Sequence, residues 1–212
     1  MVPTLFMSFE FRPSRPEDVD AVIPLMYSSG PEAYRYTFSV SCEHQALDFL
    51  RDAFVSGDGE FGYRDHIVAV DAGEIVALVG MRSADDSSEY TLAVIKNIFG
   101  FYGLIDGLRV MIRGLRFEKI VSPPKKGVLC LHNLGVKESL RGKGYGRQLI
   151  AYFLKQAEQQ NVRAVGLDVA QTNPRARALY LSLGFEVKSA TQGKLSNKYG
   201  RGVSHEYMEY SL

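Results

Sequence analysis

The sequence predicts an α/β fold of mixed α+β character, and three observations carry the prediction. An apolar strand, Val128 to Val136, runs into a glycine-rich turn and then a helical repeat with Leu149, Ile150, Phe153, Leu154 and Ala157 on one face. A second strand, Ala164 to Val169, leads into a second helical repeat that starts at Asn173. Upstream, Ile67 to Val70 and Glu74 to Met81 read as a hairpin across Asp71-Ala72-Gly73. With 212 residues the chain suffices for one domain, residues 1–212, with a sizeable core.

Taken in order, Ser8 to Arg12 alternates as a first strand. Ser14-Arg15-Pro16-Glu17 reads as a capping box opening a helix through Leu25 and Met26. Tyr34, Tyr36 and Phe38 fall in an aromatic, irregular stretch. A helix over Glu43 to Val55 presents Ala46, Leu47, Leu50 and Phe54 on one face and stops at Gly57. After the hairpin comes a helical insertion, about residues 86–126, in which Leu108, Met111, Ile112 and Leu115 mark one face and Arg109, Arg113 and Arg116 the opposite one. Thr191 to Gly202 reads as a long loop, and Ser204 to Ser211 alternates as a last strand.

Composition excludes several classes. A net charge of +1 gives no general drive toward nucleic acid. Cys42 and Cys130 make no disulfide framework, and four scattered histidines make no metal-ligand set. The most apolar stretch, Leu92 to Ile112, is interrupted by Lys96, Asn97, Asp106 and Arg109, so no membrane span is expected. Met1 to Phe11 has no secretory pattern, and a cytoplasmic protein is expected.

The turn after the first strand specifies a ligand. Gly142, Gly144 and Gly146 clear side chains from it, and Arg141, Lys143 and Arg147 ring it with positive charge. Backbone donors at a helix N-terminus suit a pyrophosphate. The spacing excludes the phosphate loop of nucleotidases, because Gly144 rather than Ser or Thr follows Lys143. It also excludes the dinucleotide fingerprint, because Arg147 stands where the third glycine would be. What remains is Arg141-x-x-Gly144-x-Gly146. The second helix reads Asn173-Pro174-x-Ala176-x-x-Leu179-Tyr180-x-x-x-Gly184-Phe185, an N-cap followed by proline at the first helical position.

The two segments together resemble the paired motifs of the GNAT superfamily of N-acetyltransferases, closely over residues 128–188 and loosely over 8–211. The resemblance implies a mixed central sheet with helices on both faces and splayed parallel strands that admit the thioester of acetyl-CoA. It implies that Leu134, Gly135 and Val136 pair with the pantetheine arm. A bulge over Asn133 to Gly135 would aim the Leu134 N–H at the developing oxyanion. The turn residues Arg141, Gly142, Lys143, Gly144, Tyr145, Gly146 and Arg147 would hold the pyrophosphate. Asn173 would bind the pantetheine amide or a water, and Tyr180 would protonate the departing thiolate.

Leu131-His132-x-Leu134-x-Val136 is similar to the arylalkylamine N-acetyltransferases, which offers His132 as the base; ordered water is the competitor. The expected reaction is direct transfer to a primary amine of a small molecule. A peptide or ribosomal-protein N-terminus and a non-catalytic acyl-CoA sensor are the alternatives, and a homodimer stays open. Tyr34, Tyr36 and Tyr207 lie in the segments expected to line the acceptor site.

Overall fold

The computed structural model describes residues 9–83, 88–121, 124–160 and 162–212. Its seven-stranded sheet has the order β1-β2-β3-β4-β5-β9-β6, with strands Glu10–Pro13 (β1), His66–Asp71 (β2), Glu74–Arg82 (β3), Val128–Val136 (β4), Ala164–Ala170 (β5), Glu186–Thr191 (β6) and His205–Ser211 (β9). Only β4 and β5 pair in parallel; every other ladder in this sheet is antiparallel. The expected start of the first strand at Ser8 lies outside the described residues.

Helices cover both faces. On one face lie Val19–Ser28 (α1), Pro31–Phe38 (α2), Gln45–Ser56 (α3) and Ser88–Phe117 (α4), closing over Val68 and Leu78. On the other lie Tyr145–Gln159 (α5) and Pro174–Ser182 (α6), closing over Ala69, Ala77 and Val165. Adjacent strand residues thus feed opposite cores, as the two-residue repeat of a strand requires. The predicted faces of α5 and α6 are the buried ones: Leu149, Ile150, Phe153 and Ala157 on α5, and Tyr180 with Ala176, Leu179 and Leu183 around it.

Four local expectations are corrected. Tyr34 to Phe38 forms α2, because Pro31 at its first position starts a helix that the aromatic alternation disguises. Ser14 does not cap α1: its hydroxyl donates to the Tyr63 carbonyl at 2.6 Å, while Asp18 accepts from the Arg15 N–H at 2.8 Å. Residues 191–202 hold a small hairpin, Leu195–Ser196 (β7) against Arg201–Gly202 (β8).

In α4 the apolar face is mostly turned outward, with Leu108, Ile112 and Leu115 each more than 40% exposed while Met111 packs against the core. Ile98 and Val110 carry the buried apolar side chains instead, since apolar side chains ring this segment and its period selects no single face. Gly103 (φ 68°) interrupts the helix. Arg113 turns inward, donating to the Ser39 carbonyl at 2.7 Å. Among the described residues, Glu89–Phe117 is long and apolar enough by length and composition to cross a membrane, with a hydropathy of 1.2, despite the charges that interrupt it.

Candidate active site

The site begins where β4 leaves its neighbours. Gly80 faces His132 and Leu78 faces Gly135, so Asn133 and Leu134 together oppose Val79. This is the expected bulge, and Asn133 takes the left-handed conformation (φ 51°) that it needs. On its other edge β4 pairs with β5 only from Val128 to Leu131, whereas β5 continues along β9 to Ala170. From His132 onward the edge of β4 that faced β5 has no strand partner among the described residues. Gly135 is required by α1, because a Cβ there would fall 2.7 Å from the Leu25 carbonyl carbon.

A cavity of about 550 Å³ opens through this splay. The end toward the α5 turn is lined by Leu134, Gly135, Val136, Arg141, Gly146, Asn173 and Tyr180. Gly142 (φ 79°) and Gly144 (φ 91°) bend the turn that enters α5, and a Cβ at Gly144 would meet open space. The first amides of α5 have no carbonyl of their own to bond, so they remain available to an anion. Arg141 donates to the Val136 carbonyl at 3.2 Å, and Arg147 to the Ser182 hydroxyl at 2.6 Å. Tyr145 has only its backbone to offer a ligand, since its hydroxyl bonds Asp71 at 2.7 Å and its ring packs on Phe9. Asn173 caps α6 by accepting from the Ala176 N–H at 3.1 Å. Tyr180 is buried, and burial alone pushes its phenol up to about 12, which keeps the proton on it.

The opposite end is walled by Tyr34, Phe61, Tyr90, Val94 and Ile98, with Glu60, Arg82, Asp168 and His132 among them. Below it runs a buried polar chain. Tyr34 donates to Asn133 Oδ1 at 2.6 Å, and Asn133 Nδ2 reaches the Glu60 carbonyl and His66 Nε2, each at 3.2 Å. His66 Nδ1 lies 2.8 Å from the Gly62 carbonyl, so the proton sits on Nδ1 and Nε2 accepts. Burial pulls His66 down to about 4. Burial, with His66 and the Arg82 guanidinium nearby, pulls His132 down to about 3. Both imidazoles are neutral near pH 7, and the His132 ring nitrogens have no hydrogen-bond partner among the described residues.

Two expected acceptor residues do not reach the cavity. Tyr36 is buried, and its carbonyl receives Asn197 Nδ2 at 2.9 Å. Tyr207 is buried between β5 and β6, donating to Glu209 at 2.8 Å beneath the Lys125 ammonium. Of the three tyrosines only Tyr34 lines the cavity. Sequence reading missed Glu60, Arg82 and Tyr90. The available signal for Glu60 was the cluster Gly57, Gly59 and Gly62, which marks a shaped loop rather than a slack one.

The residues present fit acetyl-CoA: an open splay for the pantetheine arm, and amides and arginines for the pyrophosphate. Comparisons with known proteins agree with this geometry. The chain is similar to an L-methionine sulfoximine/L-methionine sulfone acetyltransferase of Pseudomonas aeruginosa, with 28% identity over 38% of this chain and 46% of that protein. It is 33% identical to the uncharacterized N-acetyltransferase YycN of Bacillus subtilis over 30% of this chain and 41% of that protein. The matched stretches thus span less than half the length of these curated relatives.

An N-acetyltransferase from Staphylococcus aureus Mu50 shares the fold at a TM-score of 0.69 and 16% identity, covering 95% of this chain and all of that one. A ribosomal-protein-alanine N-acetyltransferase from Brucella melitensis shares it at 0.57 and 18%, covering 96% and 99%. The acetyltransferase (GNAT) family model matches residues 26–185, and the chain belongs to that family.

Proposed function

We propose that this protein transfers an acetyl group from acetyl-CoA directly to the primary amine of a small molecule. The observation that carries the reading is the single cavity joining the α5 turn to an aromatic wall. Its volume of about 550 Å³ lies within the range of small-molecule sites. Val110, Met111 and Phe117 of α4 roof the acceptor end, which favours a small acceptor over an extended peptide.

Acetyl-CoA, when bound, supplies the activated acyl group. Leu134, Gly135 and Val136 would hold its pantetheine arm, the α5 turn its pyrophosphate, and Asn173 its amide. The Leu134 N–H polarises the thioester carbonyl, and Tyr180 gives a proton to the leaving sulfur. Holding both reactants in one cleft lowers the barrier by several kcal/mol, within the ~7–11 kcal/mol available to ideal alignment. Cys130 also lines the cavity, but burial pushes its thiol up to about 11, so it stays protonated and does not carry the acyl group. The test is release of CoA thiol with a panel of amines, amino acids and N-terminal peptides. Turnover confined to peptides would overturn the small-molecule reading.

A further inference from the structure

We propose that Glu60 receives the ammonium group of the acceptor at the cavity wall and takes its proton, which makes Glu60 a catalytic residue and the acceptor a cation with an apolar body. The inference rests on the small-amine reading above and names the group that selects the acceptor.

The loop carrying Glu60 is built, not slack. Gly57 (φ 94°) and Gly59 (φ 84°) occupy the left-handed region, and the Gly62 N–H closes a turn on the Gly59 carbonyl at 2.9 Å. A Cβ at Gly62 would fall 2.6 Å from the Asp58 nitrogen. Asn97 Nδ2 holds the Asp58 carbonyl at 3.1 Å from α4. The Glu60 carbonyl is tied to Asn133, the bulge residue one position before Leu134. The loop is thereby fixed to the strand that presents the thioester site.

The carboxylate itself has no hydrogen bond and no ion pair among the described residues. Burial pushes it upward, and the charge of Arg82 only partly opposes that. Tyr34 from α2, Arg82 from β3 and Glu118 just after α4 interact with it electrostatically, and His132 from β4 lines the same cavity. The His132 imidazole is neutral and Glu118 is an acid, so Arg82 is the single cation among these groups. Its guanidinium lies over the Tyr90 ring, 4.5 Å from the centroid. Glu60 is half-buried in the cavity wall, and a carboxylate there without a donor of its own is one that a ligand in the cavity can satisfy. A primary ammonium supplies both the charge and the donors, and the walls of Phe61, Tyr90, Val94 and Ile98 suit an apolar body behind it.

The proton balance follows. One N–H bond of the ammonium breaks as an O–H bond forms on Glu60. The freed nitrogen lone pair forms the C–N bond while the thioester C–S bond breaks, and the sulfur takes the Tyr180 proton. The second nitrogen proton returns through water to Tyr180, and Glu60 passes its proton to solvent, so each turnover releases one proton. His132, held near 3, is too weak a base to share this role, whereas an upward-shifted carboxylate is better matched to it.

The experiment uses the full chain with Glu60→Gln and, as a second variant, Glu60→Ala. The probes are 2-phenylethylamine, hexylamine and the neutral isostere 2-phenylethanol. Without CoA, the amines should raise the melting temperature of the wild type and not of the variants, while the alcohol affects all three alike. In turnover, Glu60→Gln should lose about 100-fold in kcat/KM near pH 7, the lower end of what a positioned base contributes. It should recover toward wild type at high pH, where the amine arrives unprotonated.

Equal amine-dependent shifts in wild type and variants, or no shift in the wild type with either amine, overturn the proposal. So does an unchanged pH profile. If both variants also lose the melting shift given by CoA, Glu60 is a folding residue and the proposal fails. A wild type that binds amine through Glu60 but releases no CoA thiol with any acceptor sinks the acetyl-transfer reading instead.

Discussion

The imidazole of His132 lies on the backbone of Gly80: a Cβ built at Gly80 would stand 2.7 Å from both ring nitrogens. The two residues are cross-strand partners between β3 and β4 at the edge of the bulge. The ring thus occupies the space a side chain at position 80 would fill, and the glycine fixes where the imidazole sits in the cavity wall.

Gly80→Ala should therefore destabilise the protein by about 1–3 kcal/mol, the usual cost of forcing an extra carbon into a packed site. The double variant Gly80→Ala/His132→Ala should cost less than the sum of the two single changes, because the clash vanishes with the ring. Denaturant unfolding of the four proteins measures the coupling. Strict additivity would mean that the ring is free to move aside.

The same pair shows what could be read from the chain and what could not. The strand carrying His132, the bulge at Asn133 and the helices after the two motifs are local events, written in alternation, glycine spacing and an Asn-Pro cap. What His132 faces depends on β3, some fifty residues away, and nothing near position 80 announces it. Glu60 was hidden for the same reason: its role depends on α4, β3 and β4 converging on one loop. Tyr36 and Tyr207 were misplaced because an aromatic residue near a site has the same local pattern whether it lines the cavity or the core. The outward face of α4 escaped because its apolar residues surround the helix.

Tyr180→Phe tests the proton donor. The phenol makes no hydrogen bond among the described residues, so the change should leave stability nearly intact. The melting shift given by CoA should also persist, since the ring remains in the wall. Turnover should fall by about 100-fold or more, in kcat and kcat/KM together, as for an interaction made only in the transition state. Equal rates for the two proteins would make Tyr180 a packing residue.

Gly144→Glu tests the turn. The left-handed backbone there (φ 91°) costs a residue with a Cβ about 1–2 kcal/mol, and the new carboxylate repels a pyrophosphate. The melting shift given by CoA should disappear. Gly144→Asn tolerates the same backbone without adding charge and should keep most of the shift. Loss of the shift in both variants would point to collapse of the turn and not to charge.

The two neutral imidazoles make stability depend on pH in a defined direction. In the unfolded chain a histidine takes up its proton near pH 6.5, whereas His66 is held near 4 and His132 near 3 in the fold. Both folded values are depressed, so the unfolded state binds more protons as the pH falls through 6.5. Stability is fully present above that value and is lost on acidification until the folded sites titrate as well. Each imidazole contributes a slope of up to about 1.4 kcal/mol per pH unit within this window. Ordinary carboxylates are still ionised between pH 6 and 5, and Glu60, pushed upward by burial, acts in the opposite direction, so the histidine contribution is read as the difference between wild type and variant. His205, also lowered by burial, adds to the same trend. His132→Gln removes one titrating group and should reduce the slope of unfolding free energy between pH 6 and 5 by about one proton. Denaturant titrations at several pH values across that interval measure it, and an unchanged slope would show that His132 is already protonated in the folded protein.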